Sequence, residues 1–452
     1  MTTKRQTVLE MSLWTLTWPM FIELVLTFTL GLEDSFYLAK LSDRAAAAVG
    51  SLLPVFGICN MVFQTFALSG ASVASQLIGG RRHERVNPTF LTMILLNATL
   101  GVFAAAMLFA FHRRIGLWMG LSGEVYAFET QFLSLVGPML FIQALRFAYA
   151  SIINARGRTR WNMLAAAVVN FANVFLNHIL TRGTWGLPRL GVAGVAYSTI
   201  IAQLLGLLIA ALVVHRRLQV RWDFRGYWAN FKTFVGPILG IAGPSVVEPL
   251  SFQLNQLVLV SIVIAIGEVA LATRTYTLNL IVFAFVWSFC LGLGTQIKIA
   301  HYVGARRFDD ADAQLHRSLR LGMLFGFLMM IVLSAVAGPL YGLFTRDPEI
   351  LRLGQILMLL GLALEPARTS NMIVGGSLRG SGDARFPSFM SVLLTWSLAI
   401  PLAYLLALRL HLGLVGVWLA MITDELSRGL MNYWRWQTGT WKTKGVLAHE
   451  DA

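Results

Sequence analysis

Charge is scarce in this chain. Of its 452 residues only 13% are Asp, Glu, Lys or Arg, whereas 56% are apolar or aromatic. A soluble domain carries about 25% charged residues, so water is the wrong solvent for most of this surface. Cysteine is scarcer still. Cys59 and Cys290 are the only two, both lie within apolar runs, and they read as small buried hydrophobes that give no basis for a disulfide. The phosphate-cradling G-x-x-x-x-G-K-[ST] is missing and no loop is long enough for a nucleotide-binding domain, so ATP as a power source finds no support. H-E-x-x-H, C-x-x-C and G-x-S-x-G are missing too, and the eight histidines are scattered with none spaced as a ligand pair. A membrane hydrolase or metalloenzyme is thereby disfavoured, and no cofactor is expected. No cleavable signal peptide is apparent, because the first apolar run is too long and no A-x-A site follows it.

What the chain does have is long apolar runs, with a mean hydropathy of +0.67. Twelve are long enough to span a bilayer as helices of ~20 residues. They fall at about 13–39, 48–78, 90–111, 127–153, 162–182, 190–214, 234–265, 271–302, 318–342, 350–377, 387–408 and 412–436. Only short loops remain, so the expected fold is an all-α polytopic membrane protein. The net charge of +14 reads as topology. About 23 of the Lys and Arg fall on the N-terminus and every second connection and about 10 on the alternate ones, which predicts two cytoplasmic termini in a bacterial-type inner membrane. No nucleic-acid partner is implied. The expectation is a monomer surrounded by membrane lipids.

The second half of the chain repeats the first. Pro19 and Glu23 recur as Pro244 and Glu248, and QLIGGRR (76–82) recurs as HYVGARR (301–307), both offset by 225. Arg156-Gly157 recurs as Arg379-Gly380 at 223, and Leu190-Gly191 as Leu412-Gly413 at 222. Four matches in order, with offsets drifting by three residues, predict two pseudo-symmetric six-helix lobes, 1–218 and 234–452. Between them lies a cytoplasmic linker, 219–233. The stretch His215 to Lys232, rich in Arg and aromatic residues, fits either an amphipathic strip on the inner leaflet or a plain connection. Six spans per lobe is an even number, so both lobes enter from the same side. Such parallel repeats are common in secondary transporters.

Intramembrane carboxylates are costly and mark ion pathways or partners. In the first helix Glu23 and Asp34 are eleven residues apart, on one face and ~16 Å from each other, and Pro19 one turn before Glu23 is a candidate hinge. Asn170, Asn173 and Asn177 form a polar stripe at i, i+3, i+7 on the fifth helix. With one carboxylate they make a hard-oxygen cage for a small cation; interhelical hydrogen bonding is the alternative. Glu248 and Asn255, seven apart, share a face of the seventh helix. Asp424 and Arg428 at i, i+4 are spaced as an ion pair, with Glu425 beside them, and Glu365 is similarly placed for Arg368. Three basic residues, Arg146, Lys298 and Arg368, sit inside the apolar segments.

These motifs resemble those of the multidrug and toxic compound extrusion (MATE) family of ion-coupled efflux transporters. The resemblance rests on LEDSFYLAKLSDRAAAAVG (32–50), QLIGGRR, NARGRTR (154–160), LGVAGVAYST (190–199), GPSVVE (243–248), HYVGARR and SLRGSGDARFP (377–387), spread over nearly the whole chain in family order. It implies a cation site in the N-terminal lobe made of Asp34, Asn173, Asn177, Thr199 and the carbonyl of Val195, with Na+ or H+ as the coupling ion. One family branch has aspartate at the position of Asn177; the asparagine here resembles the sodium-coupled, NorM-like branch. The resemblance also assigns Glu248 to coupling. Two departures are Glu33, where an apolar residue is usual, and Ala39, where glycine is expected. The function implied is an antiporter that exports amphipathic organic cations by alternating access. Alternatives are an exporter of an endogenous metabolite such as a flavin, or a flippase for lipid-linked precursors.

Overall fold

The computed structural model describes residues 7–184, 188–222 and 227–449. The chain ends and residues 223–226 of the linker lie outside these. Twelve long helices follow one another: α1 Leu13–Leu41, α2 Asp43–Gly79, α3 His83–Trp118, α4 Gly123–Ala155, α5 Arg160–Arg182, α6 Val192–Arg217, α7 Trp228–Ile266, α8 Glu268–Gly304, α9 Phe308–Ala335, α10 Pro348–Ser381, α11 Arg385–Arg409 and α12 Gly413–Gln437. Among the described residues there is no strand. Eleven of these helices are long and apolar enough to cross a membrane. The twelfth, α12, is long enough, but Asp424, Glu425 and Arg428 interrupt its apolar run.

The helices outrun the spans expected from hydropathy. The apolar run at 90–111 is the middle of α3, whose 36 residues reach about 54 Å at 1.5 Å per residue. Hydropathy reads only the ~30 Å hydrocarbon thickness, whereas the backbone keeps its internal hydrogen bonds well beyond it. The ninth span is a correction of position. It was expected at 318–342, but α9 begins at Phe308, where Asp309 and Asp310 occupy the first turn, and ends at Ala335. A separate short helix, Ala337–Gly342, follows. Pro19 lies inside α1, which continues through it.

The repeated motifs share unusual backbone as well as sequence. Arg81 and Arg306, equivalent positions in QLIGGRR and HYVGARR, both adopt left-handed φ, 59° and 57°. In each, the amide of the next residue bonds back five positions, Arg82 to Leu77 and Arg307 to Tyr302, both at 2.9 Å. Gly191 and Gly413 are likewise both left-handed, at φ 54° and 57°. The Arg-Gly pair departs from this. The chain turns at Gly157 (φ 68°), but α10 runs on past Gly380 and turns at Gly382 (φ 101°).

The chain packs as two compact units. One holds Trp18–Ala74 and His83–Ile238; the other holds the described residues through Thr17, Ser75–Arg82 and everything described from Leu239 onward. In the first, α4 packs on α3 and α6, and α5 lies against α6, around a core that includes Phe63, Phe132, Leu140 and Val195. In the second, α10 is central and touches α8, α9 and α12.

That second unit closes tightly at one end. The buried Gln76 at the end of α2 donates to Gly380 O at 2.7 Å and accepts from Val446 N at 2.7 Å. A Cβ on Gly304 would lie 1.9 Å from Gln76 O, main chain against main chain. Gly304→Ala is therefore expected to destabilise the protein by about 1–3 kcal/mol, the usual range for overpacking. A thermal unfolding curve matching the wild type would contradict this contact.

Candidate cation site and the second charge network

Asp34 sits near the end of α1, half-buried, and each of its oxygens is held from a different helix. Asn177 of α5 donates Nδ2 to Oδ1 at 2.8 Å, and Thr199 of α6 donates Oγ1 to Oδ2 at 2.9 Å. Asn177 Nδ2 also reaches Asn173 Oδ1 at 3.0 Å, and Asn173 Nδ2 lies 3.4 Å from Thr199 Oγ1. Thr199 is 3.0 Å from the carbonyl of Val195. Asn173 and Asn177 are fully buried and Thr199 nearly so. The geometry follows from two helical spacings. The i, i+4 asparagines stack on one face of α5, and the threonine four residues after Val195 stands one turn along α6.

All five residues expected at this site thus come together. Their oxygens form a compact set of carboxylate, amide, hydroxyl and carbonyl donors, the chemistry a hard cation or a proton favours. Asn170 does not join. It donates to Ala166 O at 3.1 Å and accepts from Thr29 of α1 at 3.2 Å, so the asparagine stripe splits between two contacts on the same helix. Glu23 stands apart as well and feels the charge of Arg146 on α4. Ser198 was missed by sequence reasoning. It is fully buried and donates to Asn177 Oδ1, fixing the amide whose other end holds Asp34. The only signal was its place beside Thr199 in LGVAGVAYST.

The second unit holds a larger network. Glu248 pairs with Arg379 of α10 at 2.8 Å, half-buried. Asn255, on the same face of α7, has a buried Oδ1 with no hydrogen-bond partner among the described residues. The two ion pairs expected from spacing are present, Glu365–Arg368 and Asp424–Arg428, both at 2.5 Å. Spacing did not reveal that Glu425 joins them, at 3.4 Å from Arg368 and 3.5 Å from Arg428. Asn371 also donates to Glu425 at 2.8 Å. Arg379 was missed because it sits in a basic, loop-like motif; the structure shows it as the last turn of α10.

Among the described residues, twelve long helices in a duplicated arrangement define a multi-pass membrane protein, with a half-buried carboxylate held between three of them. The MatE family model matches residues 19–179 and 244–405, one segment in each half, and the chain belongs to this family of multidrug efflux transporters. It is 33% identical to "Uncharacterized transporter YisQ" of Bacillus subtilis (strain 168), covering 96% of both chains. It is 24% identical to "Probable multidrug resistance protein NorM" of Thermotoga maritima, over 96% of this chain and 93% of that one. Among solved structures it resembles "Outward-facing conformation of a multidrug resistance MATE family transporter of the MOP superfamily", with a TM-score of 0.88 and 20% identity over 98% of this chain and 100% of that one.

Proposed function

We propose that this transporter is an antiporter. It exports amphipathic organic cations across the bacterial inner membrane in exchange for Na+ or H+, with Asp34 as the coupling group. The observation that carries this reading is that both oxygens of Asp34 are bound, one from α5 and one from α6. Any change in the charge of that carboxyl is therefore felt by three helices at once. A proton on Oδ1 weakens that oxygen as the acceptor for Asn177; one on Oδ2 favours Thr199 accepting rather than donating. Na+ would draw the same oxygens inward. In either case α1 must shift against α5 and α6, and Pro19, which lacks a backbone N–H, is where such a helix bends most easily.

Exchange follows from competition. A substrate cation and the coupling ion cannot both neutralise one desolvated carboxylate, so binding of either favours the state from which the other leaves. The surplus of Lys and Arg on alternate connections supports both termini lying in the cytoplasm, with the ion entering from outside. The test is efflux of a fluorescent organic cation from proteoliposomes under an imposed Na+ gradient or an imposed pH gradient. Efflux driven by one gradient names the ion. Efflux driven by neither, from folded protein, removes the antiport reading.

A further inference from the structure

The three carboxylates and two guanidiniums around Glu425 alternate in sign: Glu365, Arg368, Glu425, Arg428, Asp424. Every one is at least nine-tenths buried, with side-chain exposure of 0% at Glu365 and 6% at Asp424. Two positive charges against three negative leave one negative charge in excess. A single uncompensated charge in so apolar a setting is costly. Glu425, in the middle, accepts hydrogen bonds from Arg368 and Asn371 and pairs with Arg428 at 3.5 Å. The end carboxylates each have one guanidinium and one bare oxygen: Glu365 Oε2 and Asp424 Oδ1 are buried and without a hydrogen-bond partner among the described residues.

Among the described residues, the neighbouring helices bring no charge that cancels the excess. Facing α10, α8 brings the Phe285 ring over Arg368 at 5.6 Å and Ser288 against Thr369 at 2.7 Å. From α9, Gly326 lies 3.9 Å from the Glu365 backbone if given a Cβ, so it adds no polar group. Ser391 of α11 accepts from Arg428 at 3.2 Å. Glu248 of α7 acts on Arg428, but Arg379 already neutralises it at 2.8 Å.

We propose that this ladder binds one proton, carried on the bare oxygen of Glu365 or Asp424. The proton comes from water and forms one O–H bond, turning the end carboxylate into a carboxylic acid and bringing the ladder to neutrality. It is a titratable site separate from Asp34, and it makes the contact between α10 and α12 depend on pH. When the proton leaves, an unpaired negative charge remains between the two helices.

The count makes the test sharp. Full-length protein in nanodiscs is compared at neutral pH by infrared difference spectroscopy, reading the C=O stretch of a protonated carboxyl. All samples carry Asp34→Asn, so the coupling site contributes nothing and transport plays no part. The parent is expected to show one ladder band that is lost in both Glu365→Gln and Asp424→Asn, because removing either acid leaves two carboxylates matched by two guanidiniums. Adding Na+ should leave the band unchanged. A band that persists in either variant overturns the proposal, as does its disappearance on Na+ addition, which would make the ladder a metal-cation site.

Discussion

Asp34→Asn is expected to reduce gradient-driven efflux to the level of protein-free vesicles while the unfolding midpoint moves by only a few degrees. The substitution is isosteric. The new Oδ1 still accepts from Asn177, now held at 2.8 Å, and the new amide faces Thr199 Oγ1, which can accept while donating to Val195 O at 3.0 Å. Losing two hydrogen bonds to a charged acceptor is offset by no longer burying that charge. What disappears is the ability to exist in two charge states. An asparagine amide neither releases a proton nor neutralises a cation, so nothing remains to link ion occupancy to the position of α1. Efflux in proteoliposomes and thermal unfolding of the same preparation check the two halves of this expectation. Full transport by the folded variant would remove Asp34 from coupling.

Arg428→Leu should give the largest loss of stability among single changes in the second unit. Arg428 is the guanidinium shared by Asp424 at 2.5 Å and Glu425 at 3.5 Å, and its side chain is 9% exposed. Removing one partner of a buried ion pair while leaving the other costs about 3–5 kcal/mol, a large share of the margin that keeps a protein folded. Here two carboxylates lose their cation together. The loss should also grow with pH. Without the guanidinium, the folded state holds on to protons that the unfolded chain releases, so it binds more protons than the unfolded state and stability falls as pH rises. Tryptophan-fluorescence melts at two pH values measure both effects. Replacing Asp424, Glu425 and Arg428 together with apolar residues of similar volume should recover most of the loss, since the penalty comes from unpaired charge and not from the absent contact. A single variant as stable as the wild type at high pH would show that water reaches the ladder.

The twelve apolar runs and their duplication were legible in the residues, because each rests on local regularities, whereas the grouping of Asp34 with Asn173, Asn177 and Thr199 was implied by the family resemblance. A bilayer imposes a fixed length on every span, and α-helical periodicity puts Asn173 beside Asn177 and Val195 beside Thr199. The matched left-handed turns at Arg81 and Arg306 show that repeated sequence there means repeated backbone. Where local rules ran out, so did the reading. Hydropathy misplaced α9, because a helix ends where its hydrogen bonds end and not where the hydrocarbon does. The i, i+3, i+7 stripe treated Asn170 as equivalent to its neighbours, and only the approach of α1 assigned it to Thr29 and the other two to the cluster around Asp34. Ion pairs within one helix, Asp424–Arg428 and Glu365–Arg368, were visible from spacing. Their union through Glu425, and the capture of Glu248 by Arg379 131 positions away, were not. Sequence by itself determined a duplicated helical membrane protein with carboxylates on its first helix and an asparagine stripe on its fifth. Tertiary structure decided which buried charges neutralise one another, because that depends on distances of a few ångströms between helices, and no spacing along a single chain encodes them.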